Sequence, residues 1–286
     1  MAKTTTKPRK KSVGTKTASR RSAPAKRKKK SPRPMPDWLR NLLAVVVVVL
    51  FSTAFYLLFI KPYSFRWKPC HGQKGYDVCM PYGYFVHGID VSHYQGNINW
   101  EELALNQTGE YPIHFVFMKA TEGSDLDDKT FPQNFELARR HGFIRGAYHF
   151  LTTKTDPLMQ AEFFIRNVKL KQGDLPPVLD VEVAGKKSKE ELQENVKKWL
   201  FRVEEHYGVK PIIYTSYKFK MKYLNDSLFN TYPYWIAHYY VSSVRYEGKW
   251  DFWQHSDVGR VPGIKESVDL NVFNGSLEEL RELTIH

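Results

Sequence analysis

A run of nineteen residues without a charge, from Leu42 to Ile60, limits the folds open to this chain more than any other feature. The run is long enough to cross the hydrocarbon core of a bilayer as an α-helix, and Trp38 and Tyr63 flank it where aromatic side chains favour the membrane interface. The core helix of a soluble domain is the alternative, and such a helix would be expected to have interruptions or a polar face. The sequence therefore predicts one transmembrane helix over residues 38–61.

A cleaved signal peptide is another interpretation of the same run. Its apolar region would be shorter and would end in a small-residue cleavage site. Here the run ends in Phe59-Ile60-Lys61-Pro62. We therefore interpret it as an uncleaved signal anchor.

The positive charge of the chain lies on one side of this run. The first forty residues contain 15 Lys and Arg residues and a single acid, Asp37, whereas the rest holds 28 basic and 29 acidic residues. The positive-inside bias predicts that the arm, residues 1–37, stays in the cytoplasm and that everything after Lys61 is exported, to the periplasmic or extracellular side. The arm has no apolar periodicity, so we expect it to be disordered.

The basic arm is suited to more than one anionic partner. Anionic lipid attracts each Lys or Arg near the membrane surface by about 1 kcal/mol. Nucleic acid would be attracted by the same charge, but the arm has no interleaved aromatic residues and no recognisable nucleic-acid-binding fold. We therefore expect a membrane partner and do not predict nucleic-acid binding.

Only two cysteines occur, Cys70 and Cys79, in a predicted juxtamembrane linker over residues 62–83. In an oxidising compartment, the short spacing between them favours a disulfide that closes a small loop. A metal site is the alternative, with His71 as a third ligand, but the spacing fits no zinc pattern. We predict no metal site.

From residue 84 onward, short apolar runs alternate with helical patterns. The predicted strands cover residues 84–90, 114–120, 144–150, 177–182, 211–215, 234–239, 250–256 and 267–272. The predicted helices cover 100–105, 132–141, 156–171 and 188–208, a shorter segment after residue 216, and 277–283. Eight strands with five helices between them predict an α/β fold, a TIM-like barrel over residues 84–286 whose last quarter is mostly strand.

Acidic residues recur at the carboxyl ends of the predicted strands, where the reactive groups of such barrels lie. Asp90 ends the first strand, Asp180 and Glu182 end the fourth, and Asp269 lies within the eighth. Because strand side chains alternate between faces, Asp180 and Glu182 are expected on the same side. Such a pair could be structural, as a helix cap or in ion pairs with Lys. The pair could also be catalytic, with split pKa values that leave one carboxyl group protonated as a donor and the other ionised.

Aromatic residues gather at the same strand ends. They are Tyr148, Phe150, Tyr214, Trp235, Tyr239 and Trp253, with Gln254 and His238 as polar neighbours. An acidic cleft with aromatic walls suits a polymer of sugars, whose rings stack on such surfaces. Each aromatic residue could instead fill the barrel.

Seven segments between residues 85 and 275 resemble, in order, glycoside hydrolase family 25, the Chalaropsis-type lysozymes. The segments are GIDVS with YQG at 88–96, FVFMKATEG at 115–123, GAYHF at 146–150, DVE at 180–182, PIIYT at 211–215, WIA at 235–237, and WQHS, VPGI and VDLN at 253–271. The resemblance does not reach residues 1–80.

This resemblance implies an irregular (β/α)5(β)3 barrel and hydrolysis of the β-1,4 bond between N-acetylmuramic acid and N-acetylglucosamine in peptidoglycan, without a cofactor. It also implies that Glu182 is the general acid and that Asp180, Asp90 and Asp269 are the other site acids. Because Asp180 and Glu182 would share one wall, we expect a substrate-assisted retaining mechanism. The alternatives are an inactive peptidoglycan-binding protein on this fold and a glycosidase of another N-acetylated polysaccharide.

Overall fold

The structure, a computed structural model, describes residues 35–61, 70 and 73–286. The arm up to residue 34, with its predicted disorder, and residues 62–69, 71 and 72 of the predicted linker therefore lie outside the described residues. The chain divides into two compact units, residues 1–62 and 63–286.

The first unit contains one apolar helix. Helix α1, Asp37–Phe55, continues as a π-helical turn, Tyr56–Ile60. None of its residues is buried, and the 24 residues have a mean hydropathy of 2.8 in their most apolar window. The segment is therefore long and apolar enough to cross a bilayer, as predicted.

The second unit is built around a closed eight-stranded barrel. Its helices are α2 (Trp100–Leu105), α3 (Phe131–Arg140), α4 (Pro157–Asn167), α5 (Lys189–Tyr207), α6 (Tyr217–Tyr223) and α7 (Leu277–Glu282). Its strands are β1 (Lys74–Gly75), β2 (Val78–Cys79), β3 (Val86–Val91), β4 (Ile113–Glu122), β5 (Leu126–Asp127), β6 (Ile144–Phe150), β7 (Val178–Asp180), β8 (Ile212–Ser216), β9 (Tyr234–Ala237), β10 (Phe252–Gly259) and β11 (Val268–Phe273).

The barrel strands follow the order β3-β4-β6-β7-β8-β9-β10-β11, and β11 pairs with β3 to close the ring. All neighbours are parallel except β11, which is antiparallel to both β10 and β3. Five helices, α2 to α6, separate the first six barrel strands, and the last connections carry none. The predicted barrel class is confirmed, and several bounds differ by a few residues: for example, α4 ends at Asn167, and β7 ends at Asp180 rather than at Glu182.

Local sequence signals fix the two longest helices of the barrel unit. Helix α4 begins after Asp156, whose carboxylate accepts hydrogen bonds from the first-turn amides, with Pro157 at its first position. Helix α5 begins with a capping box between Ser188 and Glu191, and it ends at Gly208 in the left-handed conformation. These helices cover the outside of the parallel strands and bury Trp199 completely.

Aromatic rings fill the inside of the barrel. Phe117 stacks on Trp235 with 4.4 Å between ring centroids, and Phe252 packs edge-on against Phe117 at 5.1 Å. A Cβ atom at Gly88 would lie 2.3 Å from the ring of Phe115, so only glycine allows this approach. These packed rings close the interior of the barrel below the carboxyl ends of the parallel strands.

A short hairpin, β1–β2, packs beside the part of the barrel without crossover helices. The carbonyl of Tyr76 accepts a hydrogen bond from the amide of Arg260 at 2.9 Å, and the hydroxyl of Tyr76 donates to the carbonyl of Tyr111 at 2.5 Å. The predicted disulfide between Cys70 and Cys79 is present. The hairpin that contains Cys79 therefore packs against the barrel.

Candidate active site

A cleft of about 240 Å³ opens at the carboxyl ends of the parallel strands. It is lined by Asp90, Lys119, Tyr148, Phe150, Asp180, Glu182, Tyr214, Trp235, Tyr239, Gln254 and Asp269. All four acids predicted from the sequence, and six of the eight aromatic and polar residues expected beside them, therefore lie around one space. Lys119 is the one lining residue that the sequence reasoning missed.

Two predicted neighbours, Trp253 and His238, do not line this cleft. Gln254 faces the inside of the barrel and its strand neighbour Trp253 faces the outside, because strand side chains alternate. The indole N–H of Trp253 donates to the backbone carbonyl of His238 at 2.8 Å. The imidazole of His238 stacks on Tyr217 at 4.8 Å between ring centroids.

The antiparallel direction of β11 brings Asp269 to the cleft. Asp269 is near the start of β11, and it pairs in register with Asp90 near the end of β3. A parallel eighth strand would have placed the start of that strand at the opposite end of the barrel. Reversal of the last strand therefore completes the group of four acids.

Two amide side chains hold the carboxylate of Asp90. Its Oδ2 accepts hydrogen bonds from Nε2 of Gln254 at 2.8 Å and from Nδ2 of Asn271 at 2.7 Å. Burial raises the pKa of Asp90 to about 6, while hydrogen bonds from Asn271, Gln254 and Asp269 act in the opposite direction. At neutral pH Asp90 is therefore an oriented, buried anion.

Both amides are themselves fixed by aromatic donors. The hydroxyls of Tyr214 and Tyr239 donate to Oε1 of Gln254 at 2.7 and 2.5 Å. The indole N–H of Trp235 donates to Oδ1 of Asn271 at 2.8 Å. Since each amide oxygen is already occupied by a donor, each amide nitrogen must face Asp90.

Asp269 is the proton-bearing partner of Asp90. Burial first, and then the charges of Asp90 and Asp257, raise the pKa of Asp269 to about 9. Its protonated carboxyl group hydrogen bonds to Asp90. Asp269 is thus the neutral donor and Asp90 the anion, because two adjacent carboxyl groups do not both ionise at neutral pH.

Asp180 and Glu182 form a second carboxyl pair in the cleft. Asp180 is buried, and burial together with the charge of Glu182 raises its pKa well above the ordinary value. Glu182 is more exposed to solvent, but desolvation of its carboxyl group in the cleft still raises its pKa. Because repulsion disfavours two adjacent anions, one proton stays with the pair.

Oδ1 of Asp180 is buried and has no hydrogen-bond partner among the described residues. A buried acceptor without a donor is costly, by about 1–3 kcal/mol. An arriving donor would remove this cost. Asp180 therefore offers a bound molecule a strong acceptor position.

Lys119 supplies the positive charge of the cleft lining. Its Nζ lies 2.6 Å from Oε2 of Glu122 and 5.2 Å from the ring centroid of Phe150. Its charge opposes the rise in pKa at Asp180 and Glu182. A lysine in a strand gives no local sign that it faces a cleft, which is why sequence reasoning overlooked it.

The aromatic residues differ in how much surface they offer. Tyr214 and Trp235 are buried, 7% and 2% exposed, and act mainly through their hydrogen bonds to the amides and through barrel packing. Tyr148, Phe150 and Tyr239 are half-buried and present open surface. Within residues 35–61, 70 and 73–286, no group of three or more His, Cys, Asp or Glu is placed to hold a metal ion.

A closed α/β barrel with two carboxyl pairs and aromatic walls at its strand ends defines the class of protein, a glycoside hydrolase. Residues 89–264 match the family described as Glycosyl hydrolases family 25. The chain belongs to this family.

Relatives and solved structures agree with this assignment. The chain is 45% identical to uncharacterized protein YegX of Escherichia coli K12 over 209 residues, which is 73% of this chain and 76% of the relative. It is 34% identical to Lysozyme M1 of Streptomyces globisporus over 69% of this chain and 71% of the relative. The solved structure of a family 25 glycosyl hydrolase from Bacillus anthracis is similar with a TM-score of 0.66 and 32% identity, covering 76% of this chain and 99% of that one.

Proposed function

We propose that the chain is a lysozyme that hydrolyses the β-1,4 bond between N-acetylmuramic acid and N-acetylglucosamine in peptidoglycan. Membership of family 25 and the similarity to Lysozyme M1 support the substrate class. The observation that carries the mechanism is the pair at the end of β7, in which Glu182 lines the cleft beside the unpartnered Oδ1 of Asp180.

Glu182 is the proposed general acid. Its raised pKa favours the protonated form, and its carboxyl group is more open to solvent than that of Asp180. In the first step, the proton shared with Asp180 passes through Glu182 to the glycosidic oxygen as the bond from C1 to that oxygen breaks. Glu182 is then a carboxylate, which is suited to deprotonate water in the second step.

The nucleophile of the first step is the 2-acetamido oxygen of the sugar. Asp180 and Glu182 come from one strand end, whereas a double displacement through an enzyme carboxylate needs two groups on opposite faces of the sugar, about 5 Å apart. The acetamide oxygen attacks C1 and forms a cyclic oxazolinium ion. Oδ1 of Asp180 accepts the hydrogen bond of the acetamide N–H and balances the positive charge that develops there.

Water then attacks C1 of the oxazolinium ion from the face that the leaving group vacated. Glu182 removes a proton from this water, and the acetamide is restored. Two inversions at C1 give net retention, so the first product is the β-anomer. Asp90 and Asp269 bind the sugar, and Asp90, the anion that the two amides hold, adds negative charge near the developing cation.

We further propose that α1 anchors the enzyme as an uncleaved single-pass segment. The basic arm then stays in the cytoplasm, against anionic lipid, and the barrel faces peptidoglycan outside the membrane. The disulfide between Cys70 and Cys79 agrees with an oxidising compartment. Protease added to intact spheroplasts should remove an epitope tag at the carboxyl terminus but spare a tag at the amino terminus, and the opposite pattern would contradict this orientation.

The deciding experiment for activity is digestion of purified peptidoglycan by the full-length protein in detergent. New reducing ends are reduced with borohydride, and the sugars are separated and identified by mass. We expect reduced N-acetylmuramic acid. Reduced N-acetylglucosamine, or cleavage of chitin oligosaccharides at an equal rate, would refute the proposed bond specificity, and binding without new ends would indicate an inactive binding protein.

A further inference from the structure

We propose that Tyr240 and Asp257 form a positioning pair for this cleft, which holds Tyr239 against Gln254 and keeps Asp269 as the hydrogen-bond donor to Asp90. The inference rests on the proposed function, because the cleft that the pair would serve is the proposed hydrolytic site. Neither residue lines the cleft, so each would act through a neighbour.

The backbone of Tyr240 is the first observation. Its φ of 61° lies in the left-handed region, which bulky residues rarely adopt because Cβ then approaches the following carbonyl oxygen. Among the described residues other than glycine, only Tyr76 and Asp77 share a positive φ, and both are at the tip of the β1–β2 hairpin. Strain of this kind persists only where the surroundings enforce it.

The interactions of Tyr240 show what enforces this conformation. Its hydroxyl donates a hydrogen bond to Oδ1 of Asp257, and its ring packs edge-on against Tyr239 at 6.0 Å between centroids. Tyr239 in turn donates to Gln254 at 2.5 Å. Asp257 and Gln254 are both on β10, so this strand holds the turn after β9 at two points.

The first consequence concerns the amide of Gln254. With Oε1 occupied by the hydroxyls of Tyr214 and Tyr239, Nε2 must face Asp90. If the turn relaxed to an unstrained conformation, Tyr239 would leave this position. The amide would then lose one of the two donors that define its orientation.

The second consequence concerns the charge state of Asp269. The charged groups around it are Asp90 from β3, Asp257 from β10 and Glu182 from beyond β7, with Tyr239 as the neutral neighbour. Asp257 lies in the irregular stretch of β10 between Ser256 and Gly259, which pair with Leu270 and Val268, the two neighbours of Asp269 on β11. After burial and Asp90, its charge is the next cause of the raised pKa of Asp269. Asp257 therefore helps to keep the proton on Asp269.

Two conservative variants separate these effects in the full-length enzyme. Tyr240→Phe removes the hydroxyl but keeps the ring, and Asp257→Asn keeps an acceptor for Tyr240 but removes the charge. Tyr246→Phe is the matched control, because Tyr246 also lies in the segment between β9 and β10 and its hydroxyl donates a hydrogen bond away from the cleft, to Oδ1 of Asn230 before β9 at 3.3 Å. The readouts are kcat, KM and the pH profile of kcat/KM on peptidoglycan, with a thermal melt of each variant.

We expect Tyr240→Phe to lower kcat about 5- to 10-fold with little change in KM, as loss of one positioning hydrogen bond would. We expect Asp257→Asn to shift the alkaline limb of the profile to lower pH, because Asp269 loses the proton that it donates to Asp90 at a lower pH once this repelling charge is removed. Tyr246→Phe should match the wild type in both. A purely structural role would lower the melting temperature without these kinetic signatures.

Three outcomes would overturn the inference. The positioning role would be refuted if Tyr240→Phe kept the wild-type kcat and Asp257→Asn left the alkaline limb where it is in the wild type. The proposed function would remain intact in that case. An equal loss in Tyr246→Phe would indicate general loosening of the segment instead of positioning. A wild-type enzyme that releases no reducing ends would refute the proposed function, and this inference with it.

Discussion

Asp90 and Asp269 lie directly opposite each other on β3 and β11, in the antiparallel pairing that closes the barrel. Their carboxyl groups are hydrogen bonded, with Asp269 as the protonated partner. The contact that closes the barrel therefore also leaves one negative charge on this pair in the cleft. The stability of the fold and the chemistry of the cleft both depend on the proton of Asp269.

The free energy of unfolding should fall as pH rises through the range in which Asp269 is protonated in the folded chain but ionised in the unfolded chain. Burial raises the pKa of Asp269 to about 9, so between about pH 4 and pH 9 the unfolded state binds fewer protons than the folded state. A difference of one bound proton between the two states lowers the free energy of unfolding by about 1.4 kcal/mol for each unit that the pH rises. Asp269→Asn keeps a donor for Asp90 and removes this titration.

We therefore expect Asp269→Asn to stabilise the enzyme relative to wild type at pH 8 and to differ little from it near pH 4. Thermal unfolding at both pH values measures the difference, and groups that titrate in both proteins cancel. A stability difference that does not change between the two pH values would contradict a raised pKa at Asp269.

Glu182→Gln should abolish proton transfer and leave the fold intact. Because general acid and base catalysis are both lost, we expect turnover to fall by several orders of magnitude, at least about 10²–10⁴-fold. Release of reducing ends measures the rate, and circular dichroism checks the fold. Glu190→Gln, at an exposed site in the first turn of α5, is the matched control. Near-normal activity in Glu182→Gln would refute its assignment as general acid.

The stereochemistry of the product tests the substrate-assisted route. Attack by the acetamide followed by attack by water retains the configuration, so the first signal at the new reducing end should be that of the β-anomer. Proton NMR during the first turnovers, before mutarotation, distinguishes the two anomers. Initial release of the α-anomer would exclude this mechanism while leaving the cleaved bond unchanged.

The role of Asp180 predicts a different pattern. If Oδ1 of Asp180 holds the acetamide N–H, then Asp180→Asn should lower kcat strongly, because an amide cannot balance the oxazolinium charge. A substrate whose sugar lacks the acetyl group should already react slowly with the wild type and lose little more in the variant. Equal losses on both substrates would show that Asp180 does not act through the acetamide.

Loss of the disulfide should destabilise the barrel unit even though Cys70 and Cys79 are far from the cleft in sequence. Closing so short a loop contributes about 2–3 kcal/mol in the chain-entropy account, and the β1–β2 hairpin packs against the barrel through Tyr76. Reduction with dithiothreitol should lower the melting temperature of the wild type. The double variant Cys70→Ser, Cys79→Ser should start at this lower value and show no further response to dithiothreitol.

Much of the architecture followed from patterns within single segments. The uncharged run at 42–60 predicted α1, and alternating apolar and helical patterns predicted all eight barrel strands to within a few residues. The predicted helix starts at residues 188 and 156 agree with the capping box at Ser188 and with the Asp156 cap followed by Pro157. These signals succeed because helix length, periodicity and caps depend on neighbours along the chain.

Contacts between distant segments were less predictable. The β1–β2 hairpin, which lies within the predicted linker, packs against the barrel through Tyr76, and nothing in two-residue strands signals their partner. Lys119 and Asn271 gave no local sign of their places beside Asp180 and Asp90. Trp253 was expected at the cleft, but its strand presents Gln254 there and turns the indole outward.

The sequence by itself determined the apolar helix, the barrel class and the acids that come to the strand ends, because each follows from hydrophobic pattern and strand periodicity. Only the tertiary structure decided the charge states of those acids. Burial, the antiparallel return of β11 and the amide network around Asp90 arise from residues far apart in the chain, and it is their proximity that moves a proton from one carboxyl group to another.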